Sequence, residues 1–391
     1  MNVSLAALKA QVAQRVEARR ALLDDLALRI HAHPELAFEE RYASGALVDA
    51  LRAEGVTVVP GTAGLETAFV AEHGSGGAVV ALPAEYDALP EIGHACGHNL
   101  MGTAAVGAFL ALRDLVPAGA GRVRLIGCPA EERGNGKVLL LQGGAFRDVD
   151  AALMFHPGDR NEIDPLMLAL VTVEITFHGV AAHAASRPHE GVNALDALLL
   201  AWSSVAALRQ VIRSDSRIHG IITDGGVAPN IIPERSAARF MIRSTDAGYL
   251  AELRGRVLAC FEGAAQATGC RLEHRFSDVC DPVRTNRPLA RAFADNARLL
   301  GRLMESRRPG DTRGSTDMGN VMSVLPGIHP FLAITDEPTP GHSHAFTAAA
   351  ATPAALETMR IAAGALAMTA LDVLGDAALR ARARDAFGTR D

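Results

Sequence analysis

One segment of the chain, residues 85–99, concentrates carboxylates, imidazoles and a thiol between a predicted strand and a predicted helix. The apolar run 78–82 predicts the strand, and the apolar run 100–115 predicts the helix. Open α/β sheets build their sites on such strand-to-helix loops. Cys96 and His98 are a closely spaced pair of metal-ligand types, and the glycines beside them leave the backbone free to wrap. A buried thiol or a helix cap explains either residue alone, but the pair indicates part of a metal site.

Further metal-ligand types follow other predicted strands. Glu131 and Glu132 come after the strand at 122–128, and His156 ends the strand at 151–155. Each feature alone is more commonly a solvated acidic turn or a structural histidine. Because the carboxyl ends of parallel strands meet at one edge of a sheet, we expect these side chains to lie together. Adjacent carboxylates can divide the work, one binding a metal and the other acting as a general base for a metal-bound water.

The last candidate ligands are His342 and His344, which lie between a predicted strand and the final helix. The spacing leaves open which of the two binds. Counting then gives more candidate ligands than one tetrahedral site holds: Cys96, His98, Glu132, His156 and His342. We therefore expect two divalent ions, about 3.5–4 Å apart. A thiolate with imidazoles favours Zn²⁺, Mn²⁺ or Co²⁺ over Mg²⁺ or Ca²⁺.

A second set of polar residues lies further along the chain. His183 follows a predicted strand, Asn230 lies in a loop between two strands, and Arg243 ends a strand. A surface turn or a solvated strand end explains each of them alone. Together, an imidazole, an amide and a guanidinium suit a substrate carboxylate and a developing oxyanion.

The composition limits the class of protein. The 391-residue chain has a net charge of −6 with both signs interspersed, which argues against a nucleic-acid partner and gives a membrane partner no support. We expect no membrane span, since no window of about 18 residues is apolar and uncharged. The five cysteines form no Cys-x-x-Cys pair, and charges near the N-terminus argue against a signal peptide. We therefore expect a cytoplasmic protein.

The order of predicted elements gives the fold class, α/β. Strands alternating with helices predict a catalytic domain with a mostly parallel sheet flanked by helices, over residues 1–165 and 277–391. Residues 166–276 follow a βαββαβ order, which predicts an inserted ferredoxin-like domain. Three finer expectations concern long elements: one opening helix at 5–30, one strand at 328–334 and one closing helix at 346–374.

These motifs together resemble the M20 metallopeptidase family, most of all its amidohydrolase branch of aminoacylase-like, N-acyl-amino-acid and aminobenzoyl-glutamate hydrolases. The resemblance covers nearly the whole chain, although many relatives have Asp where Asn99 stands. Its motifs, in chain order, are His33-Pro34-Glu35, Phe38-Glu39-Glu40, Gly93–Asn99, Glu131-Glu132, Ala182-His183, Asn230-Ile231-Ile232-Pro233, Gly314-Ser315-Thr316-Asp317-Met318-Gly319 and Gly341-His342-Ser343-His344.

The resemblance implies a role for each candidate residue. The two metal ions would be bound by Cys96, His98, Glu132, His156 and His342. Glu131 would be the general base and acid, and Asp87 would orient a ligand. The insert would be a lid and dimerisation domain of a homodimer, whose His183 would reach the site of the partner subunit. Asn230 and Arg243 would hold a substrate carboxylate.

We expect hydrolysis of the amide bond in an N-acyl amino acid or a dipeptide-like substrate that carries a carboxylate. In this hypothesis the metals activate water and Glu131 accepts its proton. One alternative is the release of ammonia or a carbamoyl group from a ureido or aryl-amine substrate by the same site. Another is a non-catalytic metal- or peptide-binding protein, against which the presence of both Glu131 and Glu132 argues. The sequence does not predict the acyl group or the native metal.

Overall fold

The protein, described by a computed structural model over residues 4–308 and 310–389, folds into two compact units. The units are residues 1–166 with 283–391, and residues 167–282. The sequence predicts that the insert ends at residue 276. In the structure the second unit continues further, because Cys280 and Leu170 exchange two backbone hydrogen bonds of 2.9 Å. This pairing fixes the segment after the last strand of the insert to the first strand of the same unit.

The described chain alternates helices and strands along most of its length. The helices are α1 Leu5–Glu17, α2 Arg20–Ala32, α3 Arg41–Ala53, α4 His98–Leu115, α5 Gly136–Gln142, α6 Ala194–Leu208, α7 Ala247–Thr268, α8 Arg287–Leu299, α9 Met318–Val324, α10 His344–Ala349, α11 Pro353–Gly375 and α12 Ala377–Gly388. The strands are β1 Val58–Pro60, β2 Phe69–Ser75, β3 Val79–Glu85, β4 Gly121–Cys128, β5 Ala151–Leu153, β6 His156–Gly158, β7 Ala169–His178, β8 Arg217–Asp224, β9 Arg235–Ser244, β10 Arg271–Phe276, β11 Gly327–Ile328 and β12 Phe331–Ala333.

A six-stranded sheet in the order β1-β2-β4-β3-β5-β11 forms the centre of the first unit. Strands β4, β3, β5 and β11 are parallel, and β2 and β1 add an antiparallel edge. Every residue of β3 is buried, as expected for a parallel strand that is covered on both faces. Helix α4, itself almost wholly buried, packs against β3 and β4 and against α11. The predicted fold class, a mostly parallel sheet flanked by helices, is confirmed.

The parallel strands end at one edge of this sheet. Glu85 at the end of β3 lies opposite Cys128 at the end of β4. Leu153 at the end of β5 lies opposite Ile328 at the end of β11. The loops that follow these strand ends therefore emerge side by side, and they carry most of the candidate ligands.

Three long predicted elements are each interrupted in the structure. The opening helix breaks into α1 and α2 at Arg19, whose guanidinium bonds two carboxylates of the first unit. The strand predicted at 328–334 separates into β11 and β12 around Pro330, which has no N–H for a sheet ladder. The closing helix predicted at 346–374 separates into α10 and α11, because the Thr352 side chain caps α11 and Pro353 begins it.

The second unit is a four-stranded antiparallel sheet in the order β10-β7-β9-β8, against which α6 and α7 pack. The chain order β7-α6-β8-β9-α7-β10 is the predicted βαββαβ arrangement. Buried and partly exposed residues alternate along β7, as they do in a strand with one covered face. Phe177, Phe240 and Phe261 lie in the core between the sheet and the helices.

Two helical segments are long and apolar enough to cross a membrane by length and composition, Ala194–Val211 and Pro353–Gly375. In the most apolar stretch of the second segment, 78% of the residues are buried, and helix α11 packs against α4 and α1. Its apolar composition is therefore that of a core helix. Of the first segment only 28% is buried, so it presents apolar side chains on the surface of the second unit.

Candidate metal centre and active site

The loop after β3 wraps tightly just before helix α4 begins at His98. Gly97 lies in the left-handed region with a φ of 73°, and a Cβ at this position would meet Pro157 at 2.9 Å. Only glycine combines that backbone conformation with so close an approach. The wrap brings ligand atoms of Cys96, His98 and His156 within 4.8 Å of one another.

Asp87 orients two of the candidate ligands at once. Its Oδ1 accepts a hydrogen bond from Nδ1 of His98 at 3.1 Å, and its Oδ2 accepts one from the backbone N–H of Glu132 at 2.8 Å. Burial disfavours protonation of His98, but the hydrogen bond with Asp87 and the nearby Cys96 and Glu85 outweigh it and raise the pKa of this imidazole well above its ordinary value. With Nδ1 held by Asp87, Nε2 of His98 is the atom that can bind a metal.

His342 joins the cluster from the segment that precedes α10. Its Nε2 lies 3.0 Å from Sγ of Cys96 and 3.7 Å from Oε2 of Glu132. Its backbone N–H donates to the carbonyl of Ala95 at 3.0 Å, which holds this segment against the loop after β3. His344 is an exposed residue that begins α10. Of the two histidines that the sequence left open, the structure brings His342 to the cluster.

These side chains fit divalent cations by donor type and by their unsatisfied atoms. Nε2 of His98 and Oε1 of Glu132 are buried and have no hydrogen-bond partner within the described chain. Nδ1 of His156 donates to the carbonyl of Pro157 at 2.6 Å, which leaves its Nε2 available. Burying such atoms without partners is costly, and a cation between them removes the cost. The cluster therefore has the donors, the orientation and the available lone pairs that a divalent metal site needs.

The protonation of two ligands also depends on the cluster. Burial, followed by the neighbouring Glu132 carboxylate, raises the pKa of the Cys96 thiol well above its ordinary value. Ligation requires the thiolate, so a cation has to displace this proton when it binds. Burial, together with the charge of His98, lowers the pKa of His156 to about 3. His156 is thus neutral at neutral pH, as a metal-binding imidazole must be.

Glu131 lies beside the ligands and within a group of other carboxylates. One of its oxygens lies within 4.8 Å of ligand atoms of His98 and Glu132, and a Glu131 oxygen also lies within 4.8 Å of carboxylate oxygens of Glu85 and Asp317. Burial of the carboxyl raises its pKa well above the ordinary value, and the charges of Glu85 and Glu132 raise it further. A carboxyl that holds a proton readily next to a metal cluster suits a general base that later acts as an acid.

A buried layer of charged residues supports the cluster, and none of its members was predicted from the sequence to have a role. The ammonium of Lys137 lies between Glu85 and Asp317, 2.6 Å from Oδ1 of Asp317. The backbone N–H of Lys137 donates to the other oxygen of Asp317 at 2.8 Å. Burial disfavours the ammonium form, but Asp317 and Glu85 outweigh it and raise the pKa of Lys137 well above its ordinary value. The other end of the layer reaches the metal cluster, because Oε2 of Glu85 lies 3.3 Å from Nε2 of His98.

His329 is a further residue of this region that was not predicted from the sequence. It is fully buried, and its ring lies edge-on to that of His156 with centroids 5.5 Å apart. Because the sequence predicts one continuous strand over 328–334, His329 did not stand out as a residue at the end of a strand. The available signal was its place directly after β11, at the same sheet edge as the other ligands.

Asn99, the position where many relatives have Asp, has a structural role in this chain. Its amide nitrogen donates to the backbone carbonyls of Ala27 at 3.3 Å and Ala350 at 3.1 Å. A carboxylate could not donate either bond. The amide therefore connects the start of α4 to α2 and to the segment between α10 and α11.

Two of the three predicted residues of the insert lie together in the second unit. His183 pairs with Ile231, and Ala184 donates its backbone N–H to the carbonyl of Asn230 at 3.0 Å. Nδ1 of His183 accepts the backbone N–H groups of Ala185 and Ser186, both at 3.2 Å. The ring proton of His183 therefore lies on Nε2, which makes that atom a hydrogen-bond donor.

Arg243 lies at the opposite end of the same sheet. It is near the end of β9 and is paired with Leu170 and Arg217, whereas the loop that carries Asn230 precedes Arg235 at the beginning of β9. Eight residues of extended strand span about 26 Å. Within one chain the structure thus does not bring Arg243 together with His183 and Asn230.

Comparison with known proteins agrees with the geometry. Residues 81–371 match the model of peptidase family M20/M25/M40. The chain is 40% identical to the Xaa-Arg dipeptidase of Mus musculus, over 97% of this chain and 92% of that protein. It is 37% identical to one of the p-aminobenzoyl-glutamate hydrolase subunits of Escherichia coli strain K12, over 71% of this chain and 62% of that protein.

A solved structure shares the same fold. A Bacillus subtilis protein described as a dinuclear metal binding peptidase from the M20 family superimposes with a TM-score of 0.70 at 21% identity, over 92% of this chain and 99% of that one. The matched residues include the whole insert and all of the candidate metal ligands. The chain therefore belongs to peptidase family M20/M25/M40, and it is a metal-dependent hydrolase of amide bonds.

Proposed function

We propose that this protein cleaves short dipeptide-like amides in which the residue on the nitrogen side carries a free carboxylate. The observation that carries the proposal is the Glu131 carboxyl, which lies within 4.8 Å of the ligand atoms of His98 and Glu132 and is thus placed beside the cluster as a base. The relatives named for Xaa-Arg dipeptides and for p-aminobenzoyl-glutamate support it. Both names describe an amide whose nitrogen belongs to an amino acid with a free carboxylate.

The metal ligands in this proposal are the five clustered side chains, Cys96, His98, Glu132, His156 and His342. We propose two divalent ions, Zn²⁺ or Mn²⁺ with Co²⁺ as a substitute, because the donor set mixes a thiol, imidazoles and a carboxylate. Bound ions of this kind polarise an amide carbonyl and lower the pKa of a bound water to about 7.

The remaining chemistry belongs to residues of the chain. Glu131 accepts a proton from the attacking water on its carboxylate and returns it to the nitrogen of the leaving amine. Its raised pKa favours the protonated form that the second step requires. Asp87 keeps His98 and Glu132 in place throughout, since one carboxylate bonds both.

Recognition of the substrate carboxylate and oxyanion is assigned to the second unit. Nε2–H of His183 is a donor suited to an oxyanion, and Asn230 lies beside it. The strand from Arg235, where β9 begins after the Asn230 loop, to Arg243 is about 26 Å long. This is far beyond the length of a dipeptide at about 3.5 Å per residue. One chain cannot offer all three side chains to one small substrate. We propose that His183 and Asn230 act together at the site of one subunit of a dimer, while Arg243 of the same chain acts at the site of the other subunit.

A homodimer through the second unit is therefore part of the proposal. Strand β8 lies at the edge of the sheet, where Ile221 and Ile222 are 60% and 43% exposed. Leu199 and Leu200 on α6 are 47% and 41% exposed. An open strand edge beside exposed apolar side chains favours association with another copy.

We also propose a cytoplasmic enzyme that acts on small molecules and has no nucleic-acid or membrane partner. The five cysteines are all free, which supports a reducing compartment. The net charge of −6 supports the absence of a polyanionic partner. Fractionation of the native cells and blotting for this protein tests the location.

A product-identifying screen tests the proposed reaction. The purified protein is loaded separately with Zn²⁺, Mn²⁺ or Co²⁺ and offered Xaa-Arg dipeptides, p-aminobenzoyl-glutamate and simple N-acyl amino acids. We expect release of the free amino acid and no ammonia. Glu131→Gln is expected to lower kcat by about 10²–10⁴-fold while its metal content stays that of the wild type.

Three outcomes would contradict the proposal. Turnover by Glu131→Gln at the wild-type rate would remove the assigned base. Release of ammonia in place of an amino acid would assign the site to ureido or aryl-amine substrates. A protein with full metal content and no turnover of any substrate would favour a binding function.

A further inference from the structure

We propose that Glu40 is a positioning residue for catalysis, because its carboxylate holds the backbone of the segment that presents Glu131. The inference rests on the proposed function, in which Glu131 is the base. Glu40 belongs to the motif Phe38-Glu39-Glu40, to which neither the metal centre nor the carboxylate site assigns any task. It is far from Glu131 in sequence, and its hydrogen-bond partners within the described chain include none of the metal ligands.

The Glu40 carboxylate is completely buried and accepts hydrogen bonds from three parts of the chain. Oε1 accepts the backbone N–H of Ala130 at 2.8 Å and that of Phe38 at 2.9 Å. Oε2 accepts the hydroxyl of Thr67 at 2.9 Å. Glu40 is 0% exposed, so water does not compete for these donors.

Ala130, the residue that Glu40 holds, is in an unusual backbone conformation. Its φ is 60°, in the left-handed region that alanine rarely adopts. Such a conformation persists only when surrounding bonds enforce it, and it is common at functional sites. The next residue is Glu131, so the direction of the Ala130 backbone sets where the catalytic carboxyl points.

Ala130 and Phe38, the two residues whose N–H groups bond Oε1 of Glu40, also contact the rest of the 129–136 loop. The carbonyl of Ala130 accepts the N–H of Gly136 at 3.2 Å. Gly136 has no room for a Cβ, because the carbonyl of Pro129 lies against it. The ring of Phe38, whose own N–H bonds Glu40, packs against Gly134 in the same way. Loss of the Glu40 acceptor would therefore loosen the 129–136 loop near its beginning, just before Glu131.

The experiment compares two substitutions of Glu40 with a matched control. Glu40→Met keeps the length of the side chain but removes the acceptor for Ala130. Glu40→Gln keeps a carbonyl oxygen for both N–H groups and can donate its amide to Thr67. Glu35→Met is the control, since Glu35 comes from the neighbouring motif and its carboxylate accepts the N–H groups of Tyr42 and Ala43 at 3.0 Å each.

Three quantities are measured on each variant: kcat and KM with the metal-loaded enzyme, metal content, and amide hydrogen exchange of the 128–136 peptide in the metal-free protein. Glu40→Met is expected to lower kcat by about 10²-fold with little change in KM, because a small misplacement of the base affects the chemical step. It should also speed exchange in 128–136. Glu40→Gln should stay within about threefold of the wild-type kcat. Glu35→Met should leave kcat and exchange in 128–136 unchanged.

The inference is wrong if Glu40→Met keeps the wild-type kcat, or if exchange in 128–136 does not change. It is also wrong if Glu35→Met lowers kcat as much as Glu40→Met does, since that would indicate a general loss of structure. If Glu40→Met does not fold, Thr67→Val removes one donor to the same carboxylate and is expected to change both readouts less, in the same direction. Wild-type turnover by Glu131→Gln would instead refute the proposed function, and the exchange measurement would still test the contact with Glu40.

Discussion

At the scale of single residues, lysine is nearly absent from this chain, and both of its lysines lie in ion pairs. Lys9 is 2.6 Å from Asp372, and Lys137 is 2.6 Å from Asp317. An ammonium is compact and donates in three directions, whereas a guanidinium is planar and larger. In the layer beside the metal centre a compact cation meets Asp317 and Glu85 together while remaining fully buried. This layer therefore depends on one particular residue type.

Lys137→Met is expected to lower the free energy of unfolding by about 3–5 kcal/mol, since Glu85 and Asp317 would remain buried without a cation. Lys137→Arg is not expected to restore it, because the larger group has no space there. Lys9→Met is the matched control and should cost only about 1 kcal/mol, as Asp372 keeps another hydrogen-bond donor. Urea denaturation measures all three, and equal losses at the two lysines would contradict the prediction.

The buried Glu40 carboxyl gives a pH dependence of stability. Burial raises its pKa above the ordinary value of 4.5, with the charge of Asp87 acting in the same direction. A carboxyl whose pKa is raised by folding stabilises the folded state below the unfolded pKa, and this contribution is lost as the pH rises through the folded pKa. The free energy of unfolding of the wild type minus that of Glu40→Gln should therefore fall with rising pH, by at most about 1.4 kcal/mol per pH unit. Urea denaturation at a series of pH values from 4.5 upward checks the sign of this change. A difference that grows with pH would refute the prediction.

Individual residues also show what the sequence could predict about the site. Cys96, His98 and Glu132 were predictable as a group, because each is a ligand type between one strand and the helix that follows it, or at the start of that helix. Lys137 and Asp317 were not, since the bond between them joins positions 180 residues apart and neither residue type signals a partner. The spacing of apolar residues and the residue types found in turns are local signals. The pairing of buried charges depends on which distant segments meet in the folded structure, so local signals do not predict it.

At the scale of elements, the sequence predicted the type of each long segment better than its continuity. The apolar period of the opening helix persists across its break, because α1 and α2 both pack against α4 and α11. The closing helix has buried apolar side chains on both sides of its break, such as Phe346 in α10 and Met359 in α11. What ends α10 and begins α11 is a cap, in which the Thr352 side chain accepts the N–H of Ala355 at 3.2 Å. A Thr-Pro pair is a recognisable helix-start signal, so this break was predictable. The break at Arg19 carries no such signal, since it accompanies ion pairs with distant carboxylates.

Glycines inside elements and loops provide a prediction at this scale. Gly255 lies within α7, and a Cβ there would meet nothing within 4 Å. Gly255→Ala is therefore expected to raise the free energy of unfolding by about 1 kcal/mol, because alanine favours the helix. Gly136→Ala, at the start of α5, should instead lower both stability and kcat, since its Cβ would collide with the Pro129 carbonyl. Thermal unfolding and steady-state kinetics measure the pair, and a stabilised, fully active Gly136→Ala protein would contradict the loop geometry.

At the scale of the whole molecule, the order of elements predicted the insert but could not predict assembly. The βαββαβ order can be recognised in the sequence because the spacing of apolar residues distinguishes each helix from each strand. Whether two copies associate depends on which side chains remain exposed after folding, and Ile221 and Leu199 look like ordinary core residues in the sequence. The separation of Arg243 from His183 along β9 likewise appears only once the register of the sheet is known.

This separation makes subunit complementation the decisive measurement. If His183 and Arg243 of one chain act at the sites of different subunits, His183→Ala and Arg243→Ala are each inactive alone. In a mixed dimer one site then has both defects and the other has none. Random pairing of equal amounts makes half of the dimers mixed, so about a quarter of the wild-type activity should return. The two variants are co-expressed with different tags, and kcat is measured on the doubly purified dimer and on the mixture.

The control is the pair His183→Ala and Asn230→Ala. Both residues lie at the same end of the second unit, so a mixed dimer of these variants has one defect at each site and should recover nothing. Recovery by this control pair would mean that His183 and Asn230 serve different sites. Absence of recovery by the His183 and Arg243 pair, in a dimer shown to contain both tags, would mean that each chain completes its own site, and a fully active monomer in sedimentation would lead to the same conclusion. In one pair the second substitution lies near the end of β9, and in the other it lies in the loop before β9 begins. Because both pairs lose two polar side chains, the comparison separates the effect of their positions from any general effect of losing a polar side chain.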